Sequence, residues 1–175
     1  MPQRPLVLAV KSVRYARQIT NWRSIAAAAW RGQDVTCLQL RNGLVIEGSP
    51  RSQMIQLYKE IWWRDVYRLR AEPLRAGATV IDIGASIGMF SLYAAAYARA
   101  AVVLAFEPFP ESFDLLSRNS WRNSLNVRPF QIAVAGTHAP RQMYVGPCYG
   151  WNTLWGGGEP MGIDRRRLLD ASGHL

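Results

Sequence analysis

An α/β fold built around a short parallel sheet is what this sequence predicts, and three observations carry that reading. Residues 79–90, TVIDIGASIGMF, read as a buried strand, a Gly-bearing turn and the start of a helix. Residues 102–108, VVLAFEP, read as a second buried strand with an acid, Glu107, at its carboxyl end. Between them runs an alanine-rich helical stretch, so strand, turn, helix and strand form one βαβ unit. Such a unit carries its ligand at the carboxyl ends of its strands, and Asp82 and Glu107 would both lie at that edge.

The remaining elements follow in order. Residues 11–31 predict a helix, with Ile19, Trp22, Ile25, Ala26, Ala29 and Trp30 near one face and Gly32 as its stop. Two short strands are expected at 35–40 and 44–47. Arg41-Asn42-Gly43 lies between them, and Asn-Gly is a strong hairpin signal. After Ser49-Pro50, residues 52–63 read as a helix with Ile55, Tyr58, Lys59 and Trp62 on one face and Ser52 as its cap. Pro73 and Gly77 punctuate the way into the βαβ unit.

Its helix is expected over 86–97 and its second strand over 102–106. Pro108 and Pro110 end that strand. A further helix, 110–125, would bury Phe113, Leu116, Ser117 and Trp121. The third strand is expected at 127–134 and another at 142–145. The tail holds only a weak helical stretch at 165–169. The reading is thus a Rossmann-like sheet, present as its first half, behind an N-terminal helix and hairpin appendage. The expected parts are the appendage at 1–75, the core at 76–155 and an irregular tail at 156–175.

Composition bounds the function. An apolar fraction of 49% over 175 residues supports one packed core rather than disorder. The net charge of +9 comes almost wholly from arginine. Only Arg165-Arg166-Arg167 forms a run, and no basic stripe clusters as a nucleic-acid surface would. Cys37 and Cys148 make neither a disulfide framework nor a metal-ligand pair. His138 and His174 are isolated, so no metal is expected. Residues 6–10 are too short for a signal-peptide core, and Arg99 interrupts the apolar stretch 89–106. The expectation is a cytoplasmic protein with no membrane span.

The Gly84-Ala85-Ser86-Ile87-Gly88 turn has small residues where a ligand would approach the backbone. The helix it opens offers amide donors and a partial positive charge to a carboxylate or phosphate. Glu107, about 20 residues on, can accept two ribose hydroxyls, as in a dinucleotide-type site. The turn is spelled D-x-G-x-x-x-G, however, not G-x-G-x-x-G. An acid at Asp82 is a poor neighbour for a pyrophosphate and a good one for an ammonium group. A methionine moiety therefore fits better than a diphosphate, and S-adenosylmethionine is the cofactor expected. The alternative from the residues alone is a ligand-free αβ layer.

VIDIGASIGMFSLYAA, VLAFEPFPESFDLLSRNSWRN and VRPFQIAVAG together resemble the FkbM-like family of S-adenosylmethionine-dependent methyltransferases. So do the upstream LRNGLVIEGSPRSQMIQLYKEIWWRDVY and the later GWNTLW. The resemblance runs over residues 40–154. It implies that Asp82, Gly84, Ala85, Ser86 and Gly88 form the first cofactor loop, that Glu107, followed by Pro108, holds the ribose, and that Ala133 and Val134 border the adenine. Ser86 stands where the family commonly has asparagine. The implied activity is O-methylation of a hydroxyl on a sugar, polysaccharide or natural product. The family's pattern continues with a strand ending in a K-I-D-V-E-G-like motif. That motif is absent before Leu175, so the accompanying expectation is one of two: a truncated reading frame, or a chain that has lost catalysis.

No catalytic residue is assigned. His138, Glu159 and Asp164 are the candidate bases, and Tyr149, Trp151 and Asn152 could line an acceptor pocket. Glu60 and Tyr67 could reach the cofactor from the N-terminal side. Two other readings stand beside the enzyme: a non-catalytic binding module that associates through an exposed sheet edge, and a nucleic-acid methyltransferase.

Overall fold

The computed structural model describes residues 17–97 and 100–136, with the pairs 143–144 and 168–169. Helix α1, Trp22–Trp30, leads into a hairpin of β1, Cys37–Gln39, and β2, Val45–Glu47. The two strands pair antiparallel, with Leu38 opposite Ile46. A 3-10 turn, Pro50–Ser52, precedes α2, Met54–Tyr58, which runs on into a π-helical turn, Lys59–Trp63. The core follows as β3, Thr79–Ile83; α3, Met89–Ala96; β4, Val102–Phe106; α4, Pro110–Arg122; and β5, Val127–Phe130. Its three strands lie in the order β3-β4-β5, all parallel. This is the mixed α/β, partial Rossmann-like sheet the sequence predicts.

Several expectations need correction. The first helix is broken before Trp22: Ile19 is fully buried and bridges Leu40 instead. Trp30 does not pack; it is 84% exposed. Ser52 does not cap α2, because Gln53, in the left-handed region at φ 47°, stands at that position. Ser52 instead exchanges bonds with Ser49 across the 3-10 turn. On α4, Trp121 is 85% exposed, while the fully buried Asn119 takes the core-facing position.

The third strand stops at Phe130, not at residue 134. The Glu107 amide donates to the Phe130 carbonyl as the last rung. Pro108 then turns β4's chain away without an N–H to offer. Ala133 and Val134 are therefore outside any strand. The expected strand at 142–145 is found as β6, Met143–Tyr144, paired antiparallel with β7, Leu168–Leu169. Those two leucines are strand where a helix was expected, since so short an apolar run has no readable period.

The sheet is covered on one side. Val103, Ala105, Leu116, Ala94 and Ala85 form one buried cluster between sheet and helices. A larger cluster joins the appendage to the core, running from Ile19, Leu38 and Ile46 through Tyr58 and Trp62 to Ile87, Leu92, Tyr93 and Leu115. Among the described residues the other side is open: Ile81 and Ile83 are 61% and 63% exposed, and Phe106 stacks on Phe130 at 5.1 Å.

Asn119 and Asn123, one turn apart on α4, hold the hairpin. The Glu47 amide donates to Asn119 Oδ1 at 2.7 Å, and Asn119 Nδ2 donates back to the Glu47 carbonyl at 2.8 Å. Asn123 does the same with Val45, at 2.8 Å in both directions. The two amide side chains thus complete the outer side of β2 as a neighbouring strand would. Asn119 Nδ2 also donates to the Ile87 carbonyl at 2.9 Å, which ties the hairpin to the Gly turn.

Candidate functional site

Register sets the site. Asp82 pairs with Ala105 and Ile83 with Phe106, so Asp82 and Glu107 end adjacent strands at one edge. Both are largely buried, at 9% and 5% exposure. Glu107 lies two residues beyond Ala105, the partner of Asp82, so both acids fall on the helix-covered face, because side chains alternate along a strand.

Between them the Gly turn folds back over the end of β4. The Gly84 and Ala85 amides both donate to the Phe106 carbonyl, at 2.9 and 3.0 Å, and the Gly88 amide donates to the Ala85 carbonyl at 2.8 Å. Gly84 and Gly88 have φ of +78° and +85°, which a side chain resists. They differ in their surroundings. A Cβ on Gly84 would meet nothing within 4 Å, whereas one on Gly88 would stand 2.7 Å from Leu116 Cδ1. Gly88 is needed for packing; Gly84 faces open space. Ser86 also has a positive φ, 51°. That explains a short polar residue there, since asparagine and similar side chains tolerate this region.

Glu107 holds the turn. Its Oε2 accepts the Ser86 amide at 2.8 Å and its Oε1 the Phe109 amide at 3.0 Å, straddling Pro108. Burial raises its pKa above the ordinary carboxylate range, the two amides pull it down, and the charge of Asp82 pushes it up again. Asp82 is likewise raised by burial, with Ser91 opposing through its hydroxyl and its amide. The Ser91 hydroxyl lies 2.5 Å from Asp82 Oδ2. Ser91 is the third residue of α3, and Gly88 at the cap position has no side chain to offer. Asp82 therefore serves, from the strand, as the anionic cap of that helix.

The lead-in segment reaches the same edge. Trp62 Nε1 donates to the Met89 carbonyl at 3.1 Å. The Tyr93 hydroxyl donates to Asp65 Oδ1 at 2.9 Å, and Arg70 Nε donates to the Tyr93 oxygen at 3.1 Å. Tyr67 packs against Phe90 with the rings tilted by 47° and their centres 4.3 Å apart. Burial raises the Tyr67 pKa, and the charges of Asp82 and then Glu60 add to the shift. The phenol is thus neutral, a hydrogen-bond donor.

The structure brings together Asp82, Gly84, Ala85, Ser86, Gly88, Glu107 and Pro108. Ala133 lies past the end of β5, half-buried in irregular chain. His138, Tyr149, Trp151, Asn152, Glu159 and Asp164 lie outside the described residues. Phe109 and Asn119 were not singled out from sequence, and Trp62 and Ser91 were read only as parts of helix faces. Asn119 had a signal: it falls four residues after Leu115, on the buried stripe. Elsewhere, a cavity of about 580 Å³ opens between α1 and α2, lined by Trp22, Ile25, Met54, Ile55 and Lys59 among others. No residue of the Gly turn lines it. Among the described residues, no His/Cys/Asp/Glu group could hold a metal ion, and no helix is long and apolar enough to cross a membrane.

Comparison with known proteins gives the following. No family model matches the chain. It is 34% identical over 139 residues, 79% of its length and 52% of the relative's, to the 31-O-demethyl-FK506 methyltransferase FkbM of Streptomyces tacrolimicus. It is 43% identical over 63 residues to the methyltransferase sdnD of Sordaria araneosa, 36% of this chain and 24% of that protein. It is 35% identical over 98 residues to the AMB antimetabolite synthetase AmbE of Pseudomonas aeruginosa, 56% of this chain and 5% of that one. The chain spans about half the length of FkbM and less of the other two. Among solved structures, TYW2 of P. horikoshii in complex with MeSAdo matches with a TM-score of 0.37 and 21% identity, over 61% of this chain and 45% of that one. The resemblance to FkbM-like methyltransferases read from the motifs is borne out by the relatives FkbM and sdnD.

Proposed function

We propose that this chain carries the cofactor-binding part of an S-adenosylmethionine-dependent O-methyltransferase. Its acceptor would be a hydroxyl on a sugar, polysaccharide or natural product. One observation carries the reading: Asp82, the open turn at Gly84 and the buried Glu107 stand together at the carboxyl edge of adjacent parallel strands. The relative FkbM, by its name, methylates an oxygen of a natural product, which supports the acceptor class.

The residues fit the cofactor. Space beside Gly84 admits a ligand where a Cβ would otherwise project. Glu107 would accept the ribose hydroxyls on lone pairs not used by the Ser86 and Phe109 amides, since each carboxylate oxygen has two. Asp82 would face the ammonium, and the start of α3 the carboxylate. When bound, the cofactor supplies a methyl group on an already activated sulfonium. The chain's own contribution is then alignment of the acceptor and exclusion of water. An attacking hydroxyl must also lose its proton to a base, and the three candidates, His138, Glu159 and Asp164, lie outside the described residues. The reading places the protein in the cytoplasm with a small-molecule or glycan partner.

A second reading is favoured by the uncovered sheet face at Ile81 and Ile83: a non-catalytic module that associates with itself or another protein through that face and its edge strands. Calorimetric titration with S-adenosylhomocysteine, NAD and duplex DNA separates the readings. Micromolar binding of the first alone supports the methyltransferase. Binding of DNA alone favours a nucleic-acid enzyme, and binding of none favours the module.

A further inference from the structure

Three features of the lead-in segment pack along α3, from its first residue, beside the candidate cofactor loop, to Tyr93 in its middle. The π-helical turn Lys59–Trp63 is anchored to the first residue of α3 through Trp62 and the Met89 carbonyl. Such turns recur at functional positions in helices. Next, Asp65 and Arg68 both adopt left-handed backbone, φ 51° and 57°. That bend is fixed to α3 by Tyr93 and Arg70. Strain of this kind persists only where the surroundings enforce it. Between the two bent residues Tyr67 is presented outward, 54% exposed, with its ring against Phe90, the second residue of α3.

We propose that Tyr67 and Glu60 hold the amino-acid end of the cofactor. This rests on the cofactor reading above. Asp82 and Glu60 supply two carboxylates to the ammonium, while the Tyr67 hydroxyl and the amides of α3 donate to the tail carboxylate. The raised pKa of the Tyr67 phenol, with Asp82 and Glu60 among its causes, agrees with this grouping and keeps the hydroxyl a donor rather than a base. Glu60 is oriented by Gln56, whose Nε2 donates to its Oε1. The ribose and adenine would lie on the other side, toward Glu107. The lead-in segment thereby reads the part of the ligand that the glycine turn does not enclose.

The test uses two ligands that differ in the tail alone: S-adenosylhomocysteine and 5′-methylthioadenosine, which lacks the ammonium and carboxylate. Affinities are measured by calorimetry for wild type, Y67F, Y67L, E60Q and E107A. Y67F and E60Q should each weaken S-adenosylhomocysteine about fivefold, the loss of one hydrogen bond, and Y67L about tenfold or more. All three should leave methylthioadenosine within about twofold, which also shows that the variants fold. E107A should weaken both ligands. Unchanged S-adenosylhomocysteine binding in Y67L and E60Q, or equal loss of both ligands, overturns this inference while E107A still upholds the cofactor site. A wild-type chain that binds neither ligand overturns both.

Discussion

Glu107 Oε2 accepts the backbone amide of Ser86 at 2.8 Å, so the acid that ends one strand clamps the glycine turn that follows its neighbour. The same carboxylate takes the Phe109 amide with its other oxygen. This acid therefore has a structural task as well as its proposed ribose task, and the two can be told apart.

Glu107→Ala leaves two amides without their acceptor. It should lower the unfolding free energy by about 1–3 kcal/mol and abolish measurable S-adenosylhomocysteine binding. Glu107→Gln retains one acceptor oxygen. It should recover part of the stability but little of the binding, because the amide nitrogen cannot accept a ribose hydroxyl. Denaturant unfolding and calorimetry on the same preparations check both.

Asp82 gives a pH prediction with a definite sign. Burial raises its folded pKa above the unfolded value, so the fold disfavours the ionised form. That penalty is present at neutral pH. It is relieved as pH falls through the raised pKa, and gone below the unfolded one. Asp82→Asn should therefore unfold at a temperature no lower than wild type at pH 7, with any gain shrinking as the pH falls through the raised pKa. Binding runs the other way. The ammonium needs the ionised acid, so affinity for S-adenosylhomocysteine should weaken in the wild type as pH falls through the raised pKa. It should be about tenfold weaker and nearly flat with pH in the Asn variant. Thermal scans and titrations across that range measure the two slopes.

The two glycines of the turn should behave differently. Gly84→Ala meets only the backbone penalty of a positive φ, about 1–2 kcal/mol, but places a methyl in the ligand's space. Gly88→Ala adds a collision with Leu116 at 2.7 Å. The expected order is a greater loss of melting temperature for Gly88→Ala. For Gly84→Ala, the loss of cofactor binding should exceed what its stability explains.

Asn119 is the stability test of the helix–hairpin joint. It is fully buried, and truncation to alanine takes away the acceptor of the Glu47 amide and the donor to the Glu47 and Ile87 carbonyls. The expected cost is about 3 kcal/mol, against about 1–2 kcal/mol for the half-buried Asn123. Chemical denaturation of the two alanine variants checks the order; equal costs would mean that the hairpin is held by its apolar contacts instead.

The parallel strands, the Gly turn and the strand-end acids were legible because each is written locally. Residues 80–83 and 102–106 are apolar runs bounded by Gly or Pro, and alternate burial of Val103 and Ala105 follows from that. Pairings across many residues were not legible. Nothing near Asn119 says that Glu47 will meet it, and Ser91 reads as a small helix residue until Asp82 is seen beneath it. Trp30 and Trp121 misled for the same reason. Hydrophobic size marks a candidate for burial, but whether a surface arrives to cover it is decided elsewhere in the chain. The end of β5 depended on where its neighbour turned, at Pro108, rather than on the apolar residues Ile132 and Val134 themselves.

The amides of Asn119 and Asn123 have a consequence for association. A two-stranded hairpin ordinarily leaves both rims ready to template a strand from another molecule, but here the rim of β2 has its donors and acceptors at Val45 and Glu47 already satisfied from within. Asn21 does the same on the rim of β1, its Nδ2 donating to the Cys37 carbonyl and its Oδ1 accepting the Gln39 amide, so side-chain amides close both rims of the hairpin to a foreign strand.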